Sequence, residues 1–283
     1  MPQWSVTEPR KLTFDDPVTA LCVRVVNGTV NVVGTEEGPA RLEVSELHGP
    51  PLTVTQEGGT LTVAYEDLSK KGLLGRLLPA SRQRSAVVSV AVPAGAAVQV
   101  GVVGAGAVVS GIRGRTDVRG VSGDSALVRL SGPVRAETVS GNVEAQAVTG
   151  ELRFQSVSGD LTVVDGSGAS VRADSVSGDM VVDVDQAGAP TDIRLTTVSG
   201  EVAIRLPRRT DAQVEANTTS GTVANAFDDL RVGGQWGAKR LTGTLGAGTG
   251  ALRATTVSGA ISLLRRPEDA EAPVADAPAG KVL

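Results

Sequence analysis

Residues 121–160 read VSGDSALVRLSGPVRAETVSGNVEAQAVTGELRFQSVSGD, and one tripeptide returns in this stretch at a fixed interval. In the most regular part of the chain, complete Val-Ser-Gly tripeptides end at Gly123, Gly141, Gly159 and Gly178. Successive glycines of this set lie 18, 18 and 19 residues apart. Weaker copies of the tripeptide fall halfway between them, at 130–132, 148–150 and 166–168. A short fixed period of this kind indicates a stacked repeat.

The half-repeats align as Gly-x-Φ-x-Φ-x-x-Φ-Ser/Thr, where Φ is an apolar residue and the positions between are mostly polar. Alternation over five residues followed by a change of phase predicts a short strand and then a corner. Glycine permits the positive φ that a tight corner can require, and the preceding hydroxyl can bond nearby backbone. Nine residues therefore make one strand and one bend, and eighteen make a full coil.

The predicted fold is all-β, a parallel β-solenoid (β-helix) with short coils of about 18–22 residues. Its apolar positions, two, four and seven residues after each glycine, would form one continuous buried column. An antiparallel meander would also produce alternation. It gives no reason for the full Val-Ser-Gly form to return on every second bend, whereas stacking places equivalent corners above one another.

The repeat predicts a single elongated β domain over residues 4–266. Residues 96–266 would hold the regular repeats, and residues 4–95 a less regular β portion that caps one end. Residues 267–283 are rich in proline, alanine and acidic residues, and this composition predicts a disordered tail.

The N-terminal portion contains two local features. Residues 52–64 predict a β-hairpin that turns at Gly58 and Gly59. Residues 66–85 form a basic insert whose leucines recur at helical spacing beside cationic side chains. One interpretation is a peripheral membrane or partner contact through 68–84. The other is a loop that lays its leucines over the solenoid flank. The residues proposed for the contact are Lys70, Lys71, Leu73, Leu74, Arg76, Leu77 and Leu78.

Composition excludes several classes of function. The net charge is −4, which gives no electrostatic argument for nucleic-acid binding. With His48 and Cys22 as the only histidine and cysteine, neither a catalytic triad nor a zinc site is expected. No cofactor is expected either. The chain shows no signal peptide and no run of apolar residues long enough to span a membrane, so a cytoplasmic location is predicted.

Three features together resemble the bacterial putative-adhesin family of β-strand-repeat proteins, a domain of unknown function. They are the Val-Ser-Gly-Asp corners, the strand and turn of residues 90–95, and the Gly-Ala-Gly turn of 246–248 before Val257-Ser258-Gly259. The resemblance covers most of residues 20–265. It implies a β-solenoid fold, a role near the cell envelope and no assigned catalytic residues.

The candidate site is the set of residues around the corner glycines, which a solenoid would place on a single ridge. The ridge comprises Ser122, Asp124, Ser140, Asn142, Ser158, Asp160, Ser177 and Asp179. It could hold cations or the hydroxyls of a polysaccharide, or each acid could bond the backbone of its own turn.

The function predicted from the sequence is a non-enzymatic scaffold or interaction protein. Its partner would be a protein or an envelope-associated component, and self-association through the coil ends is open. The alternative is a carbohydrate-binding or carbohydrate-cleaving β-helix.

Overall fold

The computed structural model describes residues 2–66, 84–167, 170–184, 192–235 and 237–266. Twenty-six β-strands run through these residues, so the all-β prediction is confirmed. The basic insert and the C-terminal segment, for which a contact and a tail were predicted, lie almost entirely outside the described residues.

The strands are short. The N-terminal strands are β1 Gln3–Val6, β2 Arg10–Phe14, β3 Ala20–Val25, β4 Asn27–Thr35, β5 Ala40–His48, β6 Leu52–Glu57, β7 Thr60–Tyr65 and β8 Ser85–Pro93. The central strands are β9 Ala97–Val102, β10 Gly106–Ser110, β11 Thr116–Arg119, β12 Ser125–Val128, β13 Val134–Glu137, β14 Val143–Gln146, β15 Leu152–Gln155, β16 Leu161–Gly166, β17 Ser170–Asp174, β18 Met180–Val184, β19 Asp192–Thr196 and β20 Val202–Leu206. The C-terminal strands are β21 Ala212–Thr218, β22 Val223–Asn225, β23 Leu230–Gly233, β24 Lys239–Leu245, β25 Gly250–Thr256 and β26 Ile261–Arg265.

Two sheets are built from these strands. Sheet A has 14 strands in the order β1-β6-β7-β3-β9-β11-β13-β15-β17-β19-β25-β21-β24-β23. Sheet B has 12 strands in the order β2-β5-β8-β4-β10-β12-β14-β16-β18-β20-β26-β22. Alternate side chains of each strand are buried in one continuous core. Because side chains alternate along a strand, the others form the outer face of each sheet.

From β9 to β20 the coils follow the sequence in order and in register. Val134 of β13 pairs with Leu152 of β15, eighteen residues later, and the two strands are parallel. On the other sheet, Val143 of β14 pairs with Leu161 of β16 in the same manner. The parallel β-solenoid predicted from the repeat is therefore confirmed, and the antiparallel meander is excluded.

At both ends, however, the stacking order departs from the sequence order. The coil of β3 and β4 lies between the coil of β7 and β8 and that of β9 and β10. Likewise the last coil, β25 and β26, is inserted between β19 and β20 on one side and β21 and β22 on the other. The expectation that successive coils would stack one upon the next is wrong at these two places.

Antiparallel strands close the two ends of sheet A. At the N-terminal end, β6 and β7 form the predicted hairpin, with positive φ at Gly58 and Gly59, and β1 adds to β6. At the C-terminal end, β24 and β23 pair antiparallel beyond β21. Residues 207–249 are thus less regular than the predicted repeat, because part of this stretch forms a cap.

Candidate functional site: the serine edge

The predicted ridge residues lie on one edge of the solenoid, where the chain passes from sheet A to sheet B. We call the corners that end at Gly123, Gly141, Gly159, Gly178, Gly200, Gly259 and Gly221 the serine edge, in their stacking order. The corners that return from sheet B to sheet A form the opposite edge. The pairing of β12, β14, β16 and β18 places the serine-edge corners directly above one another.

The corner glycines are required for close approach between coils. A Cβ atom built on Gly159 would lie 2.0 Å from the carbonyl oxygen of Gly141, and one on Gly141 would lie 2.2 Å from that of Gly123. The expectation of a positive φ is wrong here, because none of the serine-edge glycines has one. Their role is to let one backbone rest on the next.

At six of the seven serine-edge corners, a hydroxyl three residues before the glycine caps the turn, a feature that the sequence reasoning missed; before Gly123 this place is taken by Gly120. The N–H of Gly141 donates to Thr138 Oγ1 at 2.9 Å, and that of Gly159 donates to Ser156 Oγ at 2.7 Å. The same bond recurs at Ser175, Thr197, Thr218 and Thr256. The signal was present in the sequence, since the repeated unit is Ser/Thr-x-Ser-Gly rather than Val-Ser-Gly.

The ridge serines join each coil to the coil before it. Ser140 Oγ donates to the carbonyl of Val121 at 3.2 Å, and Ser158 Oγ to that of Val139 at 3.2 Å. Ser122 and Ser177 make the equivalent bonds to Val103 and Val157.

The ridge acids and the asparagine form a second ladder that runs in the other direction. Asp124 Oδ1 accepts from the N–H of Asn142, Asn142 Oδ1 from that of Asp160, and Asp160 Oδ1 from that of Asp179. Asp179 Oδ1 accepts in turn from Glu201. The expectation that each side chain would bond its own turn is wrong, because the accepted N–H belongs to the next coil.

The valines of the serine edge do not join the core. Val139 is 42% exposed and Val157 is 50% exposed, so the prediction of one continuous buried column fails at these positions. On the opposite edge, the matching Leu130 and Val148 are buried as predicted. The serine edge therefore presents a row of apolar side chains beside its polar ladder.

The opposite edge turns by a different conformation. Arg129, Ala147 and Asp165 have φ values near +50°, and they recur eighteen residues apart. Each lies three residues before a corner glycine, the position that carries the capping hydroxyl on the serine edge. The backbone at these three positions lies in the left-handed region, which residues other than glycine, asparagine and aspartate rarely adopt.

Several ion pairs lie on the outer face of sheet A. Arg115 Nε donates to Asp117 Oδ2 at 2.7 Å, and this hydrogen bond is the main cause that lowers the pKa of Asp117 below its ordinary value. At the sheet margin, the hydrogen bond from Arg113 lowers the pKa of Glu36. These arginines thus pair with separate acids, and the face resembles an exposed network of charges.

The described residues show no group of three or more His, Cys, Asp or Glu side chains placed to hold a metal ion. Nor do they include a helix long and apolar enough to cross a membrane. The residues predicted to contact a membrane or partner, Lys70 to Leu78, lie outside the described part, and that prediction stays untested.

Comparison with known proteins gives a family and two solved structures that align with the chain. The model of the family described as Toastrack DUF4097 matches residues 20–264. A structure described as a putative lipid binding protein from Parabacteroides distasonis ATCC 8503 has 14% identity and a TM-score of 0.45, covering 93% of this chain and 98% of that one. One described as a putative cell adhesion protein from Clostridium sporogenes ATCC 15579 has 12% identity and a TM-score of 0.28, covering 92% and 100%. No curated protein matches the chain.

Proposed function

The chain belongs to the Toastrack DUF4097 family, and we propose that it serves as a rigid, non-enzymatic scaffold that presents its faces to a protein or envelope-associated partner. Ten strands of each sheet run parallel through the described residues. At about 4.8 Å per strand, they would form a rod about 43 Å long.

The observation that carries the proposal is the use of the polar groups on the serine edge. Its hydroxyls donate to the coil before, and its acids accept from the coil after. A carboxylate already bonded to backbone is restrained in position, which favours a structural role over a role in acid–base catalysis.

The alternative is a carbohydrate-binding or carbohydrate-cleaving surface on the same edge. It is supported by the exposure of Asp124, Asp160 and Asp179, whose carboxylates repeat along the ridge. A scaffold and a glycan site make different demands on Asp160, because the first needs only an acceptor atom while the second uses the charge.

Two substitutions of Asp160 separate these functions. Asp160→Ala removes the acceptor for the Asp179 N–H and should lower the free energy of unfolding by about 1 kcal/mol. Asp160→Asn keeps an acceptor, as Asn142 does naturally, and should restore most of that loss. Chemical denaturation measures both effects.

The same two proteins should be tested on a glycan array and in a reducing-sugar assay. The scaffold proposal expects no glycan signal that depends on Asp160. Binding or cleavage that is abolished in the stably folded Asp160→Asn protein would overturn it in favour of the carbohydrate alternative. The cytoplasmic location stays a prediction in either case.

A further inference from the structure

A column of arginines crosses the outer face of sheet A. The pairing of β13, β15, β17, β19 and β25 places five of them side by side in adjacent strands: Arg135, Arg153, Arg172, Arg194 and Arg253. We call this set the arginine column. At about 4.8 Å per strand, its outer members are about 19 Å apart along the rod.

Such a column opposes stability by itself, because like charges directly opposite one another on neighbouring strands repel. Flanking acids offset the repulsion over part of its length. Arg135 pairs with Glu137, Arg153 with Glu151 at 2.9 Å, and Arg172 with Asp192 at 3.5 Å.

The compensation ends at the last two arginines. Within the described residues, neither Arg194 nor Arg253 forms an ion pair, and both are exposed. Two positions after them, Thr196 and Thr255 pair in register and carry hydroxyls. The nearest acids already have partners: Asp192 pairs with Arg172, and Glu215, opposite Arg253 on β21, pairs with Arg240 at 2.8 Å. Two adjacent guanidinium groups beside two threonines can therefore donate to an external anion.

The corresponding column of sheet B is nearly uncharged. Val108, Ala126, Glu144, Thr162 and Val181 occupy it in successive strands. The repeat itself thus does not impose arginine at outward positions, and a column of adjacent arginines occurs at this position on sheet A and not on sheet B.

We propose that the arginine column binds a linear acidic polysaccharide that lies along the rod, with carboxylates on Arg194 and Arg253. This inference deepens the proposed scaffold function by naming a class of partner. Arginine suits the ligand because its planar guanidinium donates two parallel hydrogen bonds to one carboxylate.

The spacing of the column favours a glycan over an acidic peptide. Alternate side chains of an extended peptide are about 6.7 Å apart and fall out of step with strands spaced about 4.8 Å apart. A sugar ring advances an extended glycan by a distance close to that between neighbouring strands. The spacing of the carboxylates then matches one strand spacing of the column if every ring carries a carboxylate, and two strand spacings if every second ring does.

Other anionic partners fit the face less well. A planar anionic membrane would meet the exposed Asp174 and half-exposed Asp192 beside the column as well as its arginines. Single-stranded nucleic acid gains much of its affinity from aromatic stacking. The column and the outward-facing positions beside it carry no aromatic side chain, since Phe154 is buried in the core.

The test uses the full chain and polygalacturonate, with dextran as the uncharged control, in titration calorimetry at low ionic strength. We expect binding to polygalacturonate alone, weakening as salt screens the charges. Arg194→Glu should reduce the affinity at least about tenfold, the effect of losing one charge-assisted hydrogen bond. The matched control Arg41→Glu, an exposed site on β5 of sheet B, should bind as the wild type does.

Thermal denaturation of the same variants shows whether Arg194 acts on stability rather than on binding. A glutamate at position 194 would lie between Arg172 and Arg253, so Arg194→Glu should leave the midpoint unchanged or raise it. Unaltered binding in Arg194→Glu, equal loss in Arg41→Glu, or no binding by the wild type would overturn the proposal. Tighter binding to polyglutamate, an oligonucleotide or anionic vesicles would overturn it as well.

The calorimetry sample also distinguishes this inference from the proposed function. If the polymer stays intact and binds Arg194→Glu as tightly as the wild type, only the arginine-column proposal fails. Shortening of the polymer during incubation contradicts the non-enzymatic scaffold, whatever the effect of Arg194→Glu.

Discussion

The two edges of the solenoid begin from the same nine-residue unit and turn in different ways. On the serine edge, a hydroxyl caps the turn and the next residue, as at Val139, points outward. On the opposite edge, a residue such as Arg129 adopts positive φ and the next residue, Leu130, is buried. At each of these corners, the residue three before the glycine therefore correlates with whether the next, apolar residue lies on the surface or in the core.

The edges also differ in what they leave accessible. The serine edge places hydroxyls, carboxylates and valines along one line, whereas the opposite edge withdraws its apolar residues. A surface for partners is therefore more easily built on the serine edge or on the flat faces than on the opposite edge.

The largest effect is expected from the glycine contacts that both edges share. Gly159→Ala would place a Cβ 2.0 Å from the carbonyl oxygen of Gly141, so the two coils must separate. We expect the free energy of unfolding to fall by about 3 kcal/mol or more, measured by chemical denaturation. Gly95→Ala is the control, because a Cβ there meets nothing within 4 Å. Equal effects of the two substitutions would contradict the stacking argument.

The next effect tests the capping hydroxyl. Thr138→Ala leaves the N–H of the buried Gly141 without its acceptor and should lower stability by about 1–3 kcal/mol. Thr138→Ser should retain most of the stability, since Ser156 and Ser175 make the same bond. The equivalent change on the opposite edge, Arg129→Ala, should have little effect. If it matched Thr138→Ala, the proposed difference between the edges would be lost.

A smaller effect of opposite sign is expected on the opposite edge. Ala147 has a φ of 51°, a conformation that glycine adopts without steric strain. Ala147→Gly should raise the unfolding free energy by about 0.5 kcal/mol. This is the difference between the backbone strain that glycine relieves and the additional conformational entropy that glycine loses on folding. Ala126→Gly in β12, where the backbone is not left-handed, should instead lower it by about 0.5–1 kcal/mol. The thermal midpoint should therefore rise in Ala147→Gly and fall in Ala126→Gly, and a fall in both would contradict the prediction.

The smallest effect belongs to the face between the edges. The pKa of Asp117 is lowered in the folded protein, mainly by the hydrogen bond from Arg115. Because the pKa is lower in the folded state, the ionised carboxylate stabilises the folded protein at pH values above the ordinary aspartate pKa of about 4. This contribution is lost as the pH falls from there through the folded-state pKa. Asp117→Asn and Arg115→Gln should each remove this part of the acid dependence, the smallest effect of the set because the Arg115 guanidinium is solvent-exposed and screened. Unfolding curves between neutral pH and pH 3 provide the measurement, and an additive double variant would contradict direct coupling.

Much of the fold could be predicted because the repeat is local. Alternation around Val134 and Val143 fixes which side chains turn inward, and the eighteen-residue return of Gly123 and Gly141 fixes the register. The candidate ridge was likewise predictable as a set of residues, since equivalent corners of a solenoid must lie above one another.

The direction of the ridge hydrogen bonds was less accessible. Asp160 could bond its own turn or the next coil, and only the separation of the coils shows that its Oδ1 meets the N–H of Asp179. The burial of Leu130 and the exposure of Val139 were not expected, because both residues precede Ser-Gly and the two corners differ one residue earlier, at Arg129 and Thr138.

By itself, the sequence determined an all-β parallel solenoid, its coil length and the residues of the serine edge, because these depend on spacing within one coil. Only the tertiary structure decided the order of the coils at the ends, where Gly259 lies between Gly200 and Gly221. The physical reason is that these three corners share one Ser/Thr-x-Ser-Gly motif and fit one another equally well. Their order is decided by the antiparallel cap of β23 and β24 and by pairing between residues far apart in the chain.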